Sequence, residues 1–218
     1  MLKIRNLCII GTSHVARQSV REVEAFITKN RPGIIALELD KNRYRALKLK
    51  RKNYSLPLSM RITASLAGLI QKKLGKMAKS KAGSEMTKAI NLAGKYRARI
   101  EFIDQDISTT LRKAISRITL REKIFFLVDT IATLLSRKID IDLKKVPEDK
   151  AIKELTGHFR QRYPTLYQIL VEERNSVMAK NLYNLMISNK SRKILAVVGA
   201  GHQKEIARLV KCYLKNKK

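Results

Sequence analysis

The sequence predicts an α/β fold, with a mainly parallel sheet, helices on its faces and a largely helical middle insertion. Short apolar runs within Lys3–Ile10, Ile34–Leu39 and Lys193–Val198 read as buried strands. Stretches with helical periodicity separate them. The first links are short, so strand, helix and strand make a βαβ unit, which implies parallel strands and a right-handed crossover.

In order along the chain, Lys3–Ile10 ends in Leu-Cys-Ile-Ile and is followed by the turn Gly11-Thr12-Ser13-His14. Ser19-Val20-Arg21-Glu22 has the spacing of a capping box, opening a helix that reaches about Lys29. Arg31-Pro32-Gly33 stops it. Ile34–Leu39 is the second strand, and Asp40 can cap a helix over Asn42–Lys52. Pro57–Ala82 places Ile62, Leu66, Leu69, Ile70, Leu74 and Met77 on one helical stripe, interrupted by Lys73. Gly83-Ser84-Glu85 starts another helix, to about Arg97. Arg99–Ile103 is a short strand ending in Asp104-Gln105-Asp106. Helices follow over Ser108–Ile115, from the capping box Thr119-Leu120-Arg121-Glu122 to about Ser136, and over Glu148–His158. Pro164 opens a long helix to about Asn189, Lys193–Val198 is the last strand, and a final helix runs to Tyr213.

A length of 218 residues suits a single domain, 1–218, with a basic helical insertion at about 41–98. The formal net charge is +29. Between Lys41 and Arg99 Glu85 is the only acid, and the stretch carries +16, over half of the total. A charge of that size favours polyanions or an acidic lipid surface. Only Tyr44, Tyr54 and Tyr96 are aromatic there, which disfavours a stacking platform for single-stranded nucleic acid. Cys8 and Cys212 have no zinc or disulfide spacing and read as reduced thiols. No signal peptide and no long uninterrupted apolar span is visible, so the expected location is cytoplasmic, with association to a membrane surface as the variant. The Pro57–Ala82 face offers a surface for homo-oligomer formation.

The chemistry lies at the strand ends. Of three histidines, His14 and His202 each follow a glycine by three residues, Gly11 and Gly199, and each stands just after a strand. With nine glycines in the chain, such a match in two of three is roughly a half-per-cent accident. Ligands of open parallel sheets bind beyond the carboxyl ends of the strands, so neighbouring first and last strands would bring the two GxxH turns together. Imidazole is a standard ligand for zinc, manganese, cobalt or iron. A catalytic metal needs about three protein ligands, and Glu38, flanked by Leu37 and Leu39, is the foremost further donor. Asp40 and Asp106 read as helix caps or as site acids, and Asp104 stays open. Arg174, within Glu172-Glu173-Arg174-Asn175, belongs to a solvated face, clamps a substrate oxygen or holds Glu38. His158 reads as structural. There is no nucleophile elbow, Walker loop or GxGxxG.

These motifs together resemble the TraB/PrgY family, which is related to the TIKI and erythromycin-esterase-like proteins. The resemblance rests on Gly11–His14 with Ser19 and Val23, Ala36–Asp40 with Arg43-Tyr44, Gly83–Met86, Ile103–Ile107, Glu173–Asn175 and Val197–His202. It implies a sheet with helices on its faces, and a site built from the paired histidines, a glutamate and an arginine. TIKI-type relatives are divalent-metal-dependent proteases, TraB/PrgY relatives limit peptide pheromones, and erythromycin-esterase relatives open a lactone without a metal. Glu205 stands where a glycine is common after the second histidine, and archaeal relatives often continue into transmembrane helices.

The expected function is therefore a metal-dependent, peptidase-like hydrolase acting on or inactivating peptides. His14, His202 and Glu38 would hold a divalent manganese, cobalt or zinc ion. Glu38 or Glu85 would serve as general base, and Arg174 or Arg43 would stabilise the oxyanion. The alternatives are a non-catalytic module that sequesters a peptide, or a protein that binds polyanions or a membrane surface through its basic helices.

Overall fold

A computed structural model describes residues 1–12, 17–49, 83–135 and 149–216. Five strands form one sheet in the order β1-β2-β5-β3-β4, with β1 Leu2–Ile4, β2 Leu7–Thr12, β3 Ile34–Leu37, β4 Arg99–Phe102 and β5 Ile194–Gly199. Only the β1–β2 pair is antiparallel. The α/β expectation holds, and the first long strand and the last strand are neighbours, with Thr12 opposite Gly199.

Side-chain alternation along the strands splits the core into two halves. Ile35, Leu37, Leu195 and Val197 face helices α1 (Arg17–Asn30) and α3 (Ser84–Lys95), packing on Val23, Ile27, Met86 and Ala89. Ile34, Ala36, Ala196 and Val198 face α8 (Glu173–Ser188) and α9 (Ala200–Lys215), packing on Met178, Leu182, Ile206 and Val210. β5 is buried at every position because helices cover it on both sides. Between β3 and α3 lies α2 (Lys41–Leu49), capped by Asp40 Oδ1, which accepts from the backbone N–H groups of Asn42 and Arg43 at 2.8 and 2.9 Å. The predicted Pro57–Ala82 stripe, and most of the basic insertion, fall outside the described residues.

Three local expectations are corrected. Lys3–Ile10 is not one strand: Arg5, at φ 50°, and Asn6 turn the chain into a hairpin. Asn6 Nδ2 fixes that turn by donating to the carbonyls of Asn189 and Arg192. Helix α1 already contains Arg17, so Ser19 is a buried helical residue rather than a cap. Glu22 instead accepts a hydrogen bond from Gln18 Nε2 at 2.8 Å. Finally, the long helix is interrupted. After α7 (Pro164–Tyr167), residues Gln168–Glu172 form a π turn, in which Glu173 N–H reaches back to Gln168 O. The inserted residue rotates all of α8 by about 100° relative to an unbroken helix.

The remaining helices are α4 (Ile107–Arg117), α5 (Leu120–Leu135) and α6 (Asp149–Arg162). The Thr119–Glu122 capping box forms reciprocally, and Glu122 Oε1 also accepts from Thr165 N–H at 2.7 Å, tying the starts of α5 and α7 together. No described helix is long and apolar enough to cross a membrane.

Asp129 clamps α5 to α6, accepting from Arg162 Nη2 and Nε and from the Tyr163 hydroxyl at 2.5 to 2.7 Å. The Arg162 hydrogen bonds, then that of Tyr163, pull the Asp129 carboxyl down to about 2 from its ordinary 3.8. A depressed acid contributes stability that is complete above its unfolded pKa and is lost as pH falls through its folded one. Carboxyl-carbon NMR should therefore show Asp129 titrating near 2, with the α5–α6 contact loosening over the same range. A midpoint near 4 would mean that the clamp does not persist in solution.

Candidate functional site

The carboxyl ends of β2, β5, β3 and β4 lie side by side along one edge of the sheet. Close packing of the two GxxH segments bears on the first of their glycines. A Cβ on Gly11 would stand 2.7 Å from Gln203 Oε1 and 3.2 Å from Ala200 Cα, so a side chain there would displace the Gln203 carboxamide and press on the start of α9. Gln203 Nε2 in turn donates to Ile9 O at 2.8 Å. Thr12 Oγ1 donates to Val198 O at 3.2 Å, and Gly199 precedes the first turn of α9, which carries His202.

Glu38, one residue past β3, points its buried carboxylate along the strand ends. Its Oε2 accepts from Gly199 N–H at 2.5 Å, and its Oε1 accepts from Arg174 Nη2 at 2.6 Å. Arg174 also grips Asp104 with two parallel bonds, Nε to Oδ1 at 2.9 Å and Nη2 to Oδ2 at 2.7 Å. Its Nη1 donates to Leu170 O, inside the π turn, at 3.1 Å. Of the five guanidinium N–H groups, four are thus spoken for, and a single Nη1 hydrogen has no acceptor among the described residues. Burial alone would lower the Arg174 pKa; the Asp104 hydrogen bonds and the charges of Asp104 and Glu38 outweigh it and leave the pKa raised, so the side chain is a permanent cation. Asp104, 2% exposed, takes a third charged donor from Arg43 Nη1 at 3.1 Å.

His202 stands on the other side of Glu38, with Nε2 3.5 Å from Glu38 Oε1. Its Nδ1 lies 2.7 Å from Asn175 Oδ1, an oxygen that only accepts, so Nδ1 donates there and Nε2 faces the Glu38 carboxylate. Asn175 is buried because it heads the apolar stripe of α8 that continues through Met178, Ala179, Leu182 and Met186. Arg174 is its neighbour in the chain, and the π turn just before them helps aim both residues at the strand ends.

The structure therefore brings together Glu38, Arg174, His202 and Arg43 of the residues singled out from sequence. His14 lies outside the described residues. Glu85 is buried in the first turn of α3, where that helix packs on α1 and β3. Asp40 caps α2, with Oδ2 buried and without a hydrogen-bond partner among the described residues. Asp106 caps α4 by accepting from Thr109 N–H and is joined to α2 by Asn42 Nδ2. Sequence reasoning left Asp104 open and assigned Asn175 no role of its own. The central place of Asp104 had only its position at a strand end as a signal. Asn175 had a stronger one, since it extends the stripe spaced at 178, 182 and 186.

Across the whole of this site the sequence matches a known family profile, that of the TraB/PrgY/gumN family, over residues 3–217. The chain belongs to the TraB/PrgY/gumN family. An uncharacterised protein of Methanocaldococcus jannaschii is 38% identical over 225 residues, a match that covers 94% of this chain and 53% of that protein. The chain thus spans about half the length of the curated relative it matches. The family match encloses both GxxH motifs as well as Glu38, Asp104 and Arg174.

Whether these residues suit a divalent metal can be judged from the donors themselves. Among the described residues no group of three or more His, Cys, Asp and Glu side chains has the arrangement of a metal site. A matched pair is present: His202 Nε2 and Glu38 Oε1 are 3.5 Å apart, close to the separation of about 3.4 Å between two ligands of one tetrahedral zinc ion. The Asn175 bond to Nδ1 is the outer support that ligating histidines commonly have. These two donors meet the spacing of such an ion, and two alone do not complete a ligand set.

Proposed function

We propose that this TraB-family chain is a metal-dependent hydrolase acting on peptides, with the pair His202 and Glu38 at its centre and His14 completing the ligand set. The observation that carries the reading is His202 Nε2 turned toward a buried carboxylate oxygen 3.5 Å away, with the ring held through Nδ1 by Asn175. A bound divalent ion would lower the pKa of a water molecule toward neutrality and polarise the scissile carbonyl. Glu38 would accept a proton from that water or share in ligation, and Arg174 holds its carboxylate in place. The Nη1 hydrogen of Arg174 that has no acceptor among the described residues, or the partly exposed guanidinium of Arg43, would steady an oxyanion. Glu85 is the alternative general base.

Charge favours a second reading as well. Glu38 and Asp104 are balanced by Arg174 and Arg43, so the cluster is neutral without an added cation. In that case His202 itself takes the proton from water, with Glu38 orienting it, and hydrolysis proceeds without metal.

Calorimetry on chelator-treated protein with manganese, cobalt and zinc separates the two. On the metal reading one ion binds stoichiometrically to wild type, and His14→Ala and His202→Ala each lose it. Absence of binding to wild type sinks that reading. Peptide cleavage persisting in chelator would establish the metal-free one, and no cleavage under either condition would leave a sequestering module.

A further inference from the structure

β4 ends the sheet, and no described strand pairs with its outer edge. Arg99 N–H donates to Gly33 O, and Ile103 N–H donates to Leu37 O. In a parallel ladder alternate residues turn to the same neighbour, so Glu101 also faces β3, while Ile100 and Phe102 turn their N–H and C=O groups outward. Alongside runs a cavity of about 450 Å³ between β4 and α8, lined by Arg99, Glu101, Ile103, Asn181, Asn184 and Ser188.

We propose that this edge docks an extended peptide, which adds to the sheet beside β4 and drops alternate side chains into the cavity. Open main-chain groups supply affinity that tolerates many sequences, and pockets for every second side chain supply preference. Charge points to a peptide rather than a polyanion. The chain carries +29, yet here Arg99 Nε is paired with Glu101 Oε1 at 2.8 Å, and the rest of the lining is carboxamide, hydroxyl and apolar. Such a surface offers donors and acceptors without net charge, which matches a peptide backbone. One end of the cavity meets the candidate site: Ile103, whose carbonyl accepts from Asn181 Nδ2 at 2.9 Å, is followed by Asp104, which holds Arg174. A strand lying along β4 therefore points toward Glu38. The span Arg99–Ile103 is about 13 Å, room for four or five extended residues. The inference rests on the hydrolase reading only for what happens after binding.

The test measures binding alone, by fluorescence anisotropy, with a labelled mixture of uncharged Thr-, Val-, Ser- and Gln-containing peptides and a copy N-methylated at alternate residues. Saturable binding of the parent, weakened by about tenfold or more in the methylated copy, is expected from the loss of two or so main-chain hydrogen bonds. Ile100→Pro should weaken the parent similarly, because its lost N–H faces outward and the β3 ladder keeps its bonds. Asn184→Trp, which fills the cavity, gives an independent variant should the proline disturb folding. No saturable binding, or equal binding of the methylated copy, overturns the proposal whatever the metal calorimetry shows. A hydrolase that binds metal yet ignores these edge changes would lose this docking site and keep its chemistry.

Discussion

Arg174→Leu is expected to destabilise the protein by about 3–5 kcal/mol, the typical cost of leaving a buried ion pair with one side missing. Arg174 is 17% exposed and Glu38 and Asp104 only 4% and 2%, so water cannot easily replace the guanidinium. The leucine would strand two carboxylates beside each other and free the Leu170 carbonyl. Arg43 would remain on Asp104 alone. Arg174→Lys should fall between wild type and leucine, since an ammonium keeps the charge but cannot grip Asp104 in two places while reaching Glu38. Adding Asp104→Asn to Arg174→Leu should recover part of the loss, because one of the stranded charges is gone. Urea denaturation at neutral pH measures all three. A leucine variant within about 1 kcal/mol of wild type would show that the cluster is wetter than its burial indicates.

That cluster explains which parts of the molecule could be read from the chain. Strand ends are where apolar runs meet polar residues, so Glu38, Asp104 and both GxxH turns stand out in a linear reading. The adjacency of the first and last strands followed from asking where two matched turns could meet. The hairpin at Arg5-Asn6 is hard to read because Asn6 is a lone turn signal inside an apolar run; its hold comes from Asn189 and Arg192, far along the chain. The π turn at Gln168–Glu172 has no local signature either. Its extra residue is stabilised by what it achieves in three dimensions, including the bond from Arg174 to Leu170 O. Ser19-Val20-Arg21-Glu22 had the spacing of a cap, yet packing against the sheet drew Ser19 into the helix interior. Composition placed the basic surface at 41–98, and most of that stretch lies outside the described residues.

Glu38→Gln is the substitution with the largest expected effect on chemistry, a loss of about 10²–10⁴-fold in peptide hydrolysis where Glu38 is the base, and a smaller loss on the metal-free route, where it orients the water. Glu38 has two oxygens, and each accepts a strong donor, Gly199 N–H on one side and Arg174 Nη2 on the other. Glutamine has one oxygen and one NH₂. Whichever way the amide turns, one of those donors faces another donor, at a stability cost of about 1–3 kcal/mol. The amide can neither take a proton from water nor offer a charged oxygen beside His202 Nε2. Turnover must therefore be compared at a temperature where circular dichroism shows both proteins folded. Asn175→Leu then separates positioning from chemistry: it frees the His202 ring without touching Glu38, so turnover should drop less and its pH profile should shift. A Glu38→Gln protein that folds and cleaves peptide at the wild-type rate would reduce Glu38 to a structural partner of Arg174, and the search for the base would move to Glu85.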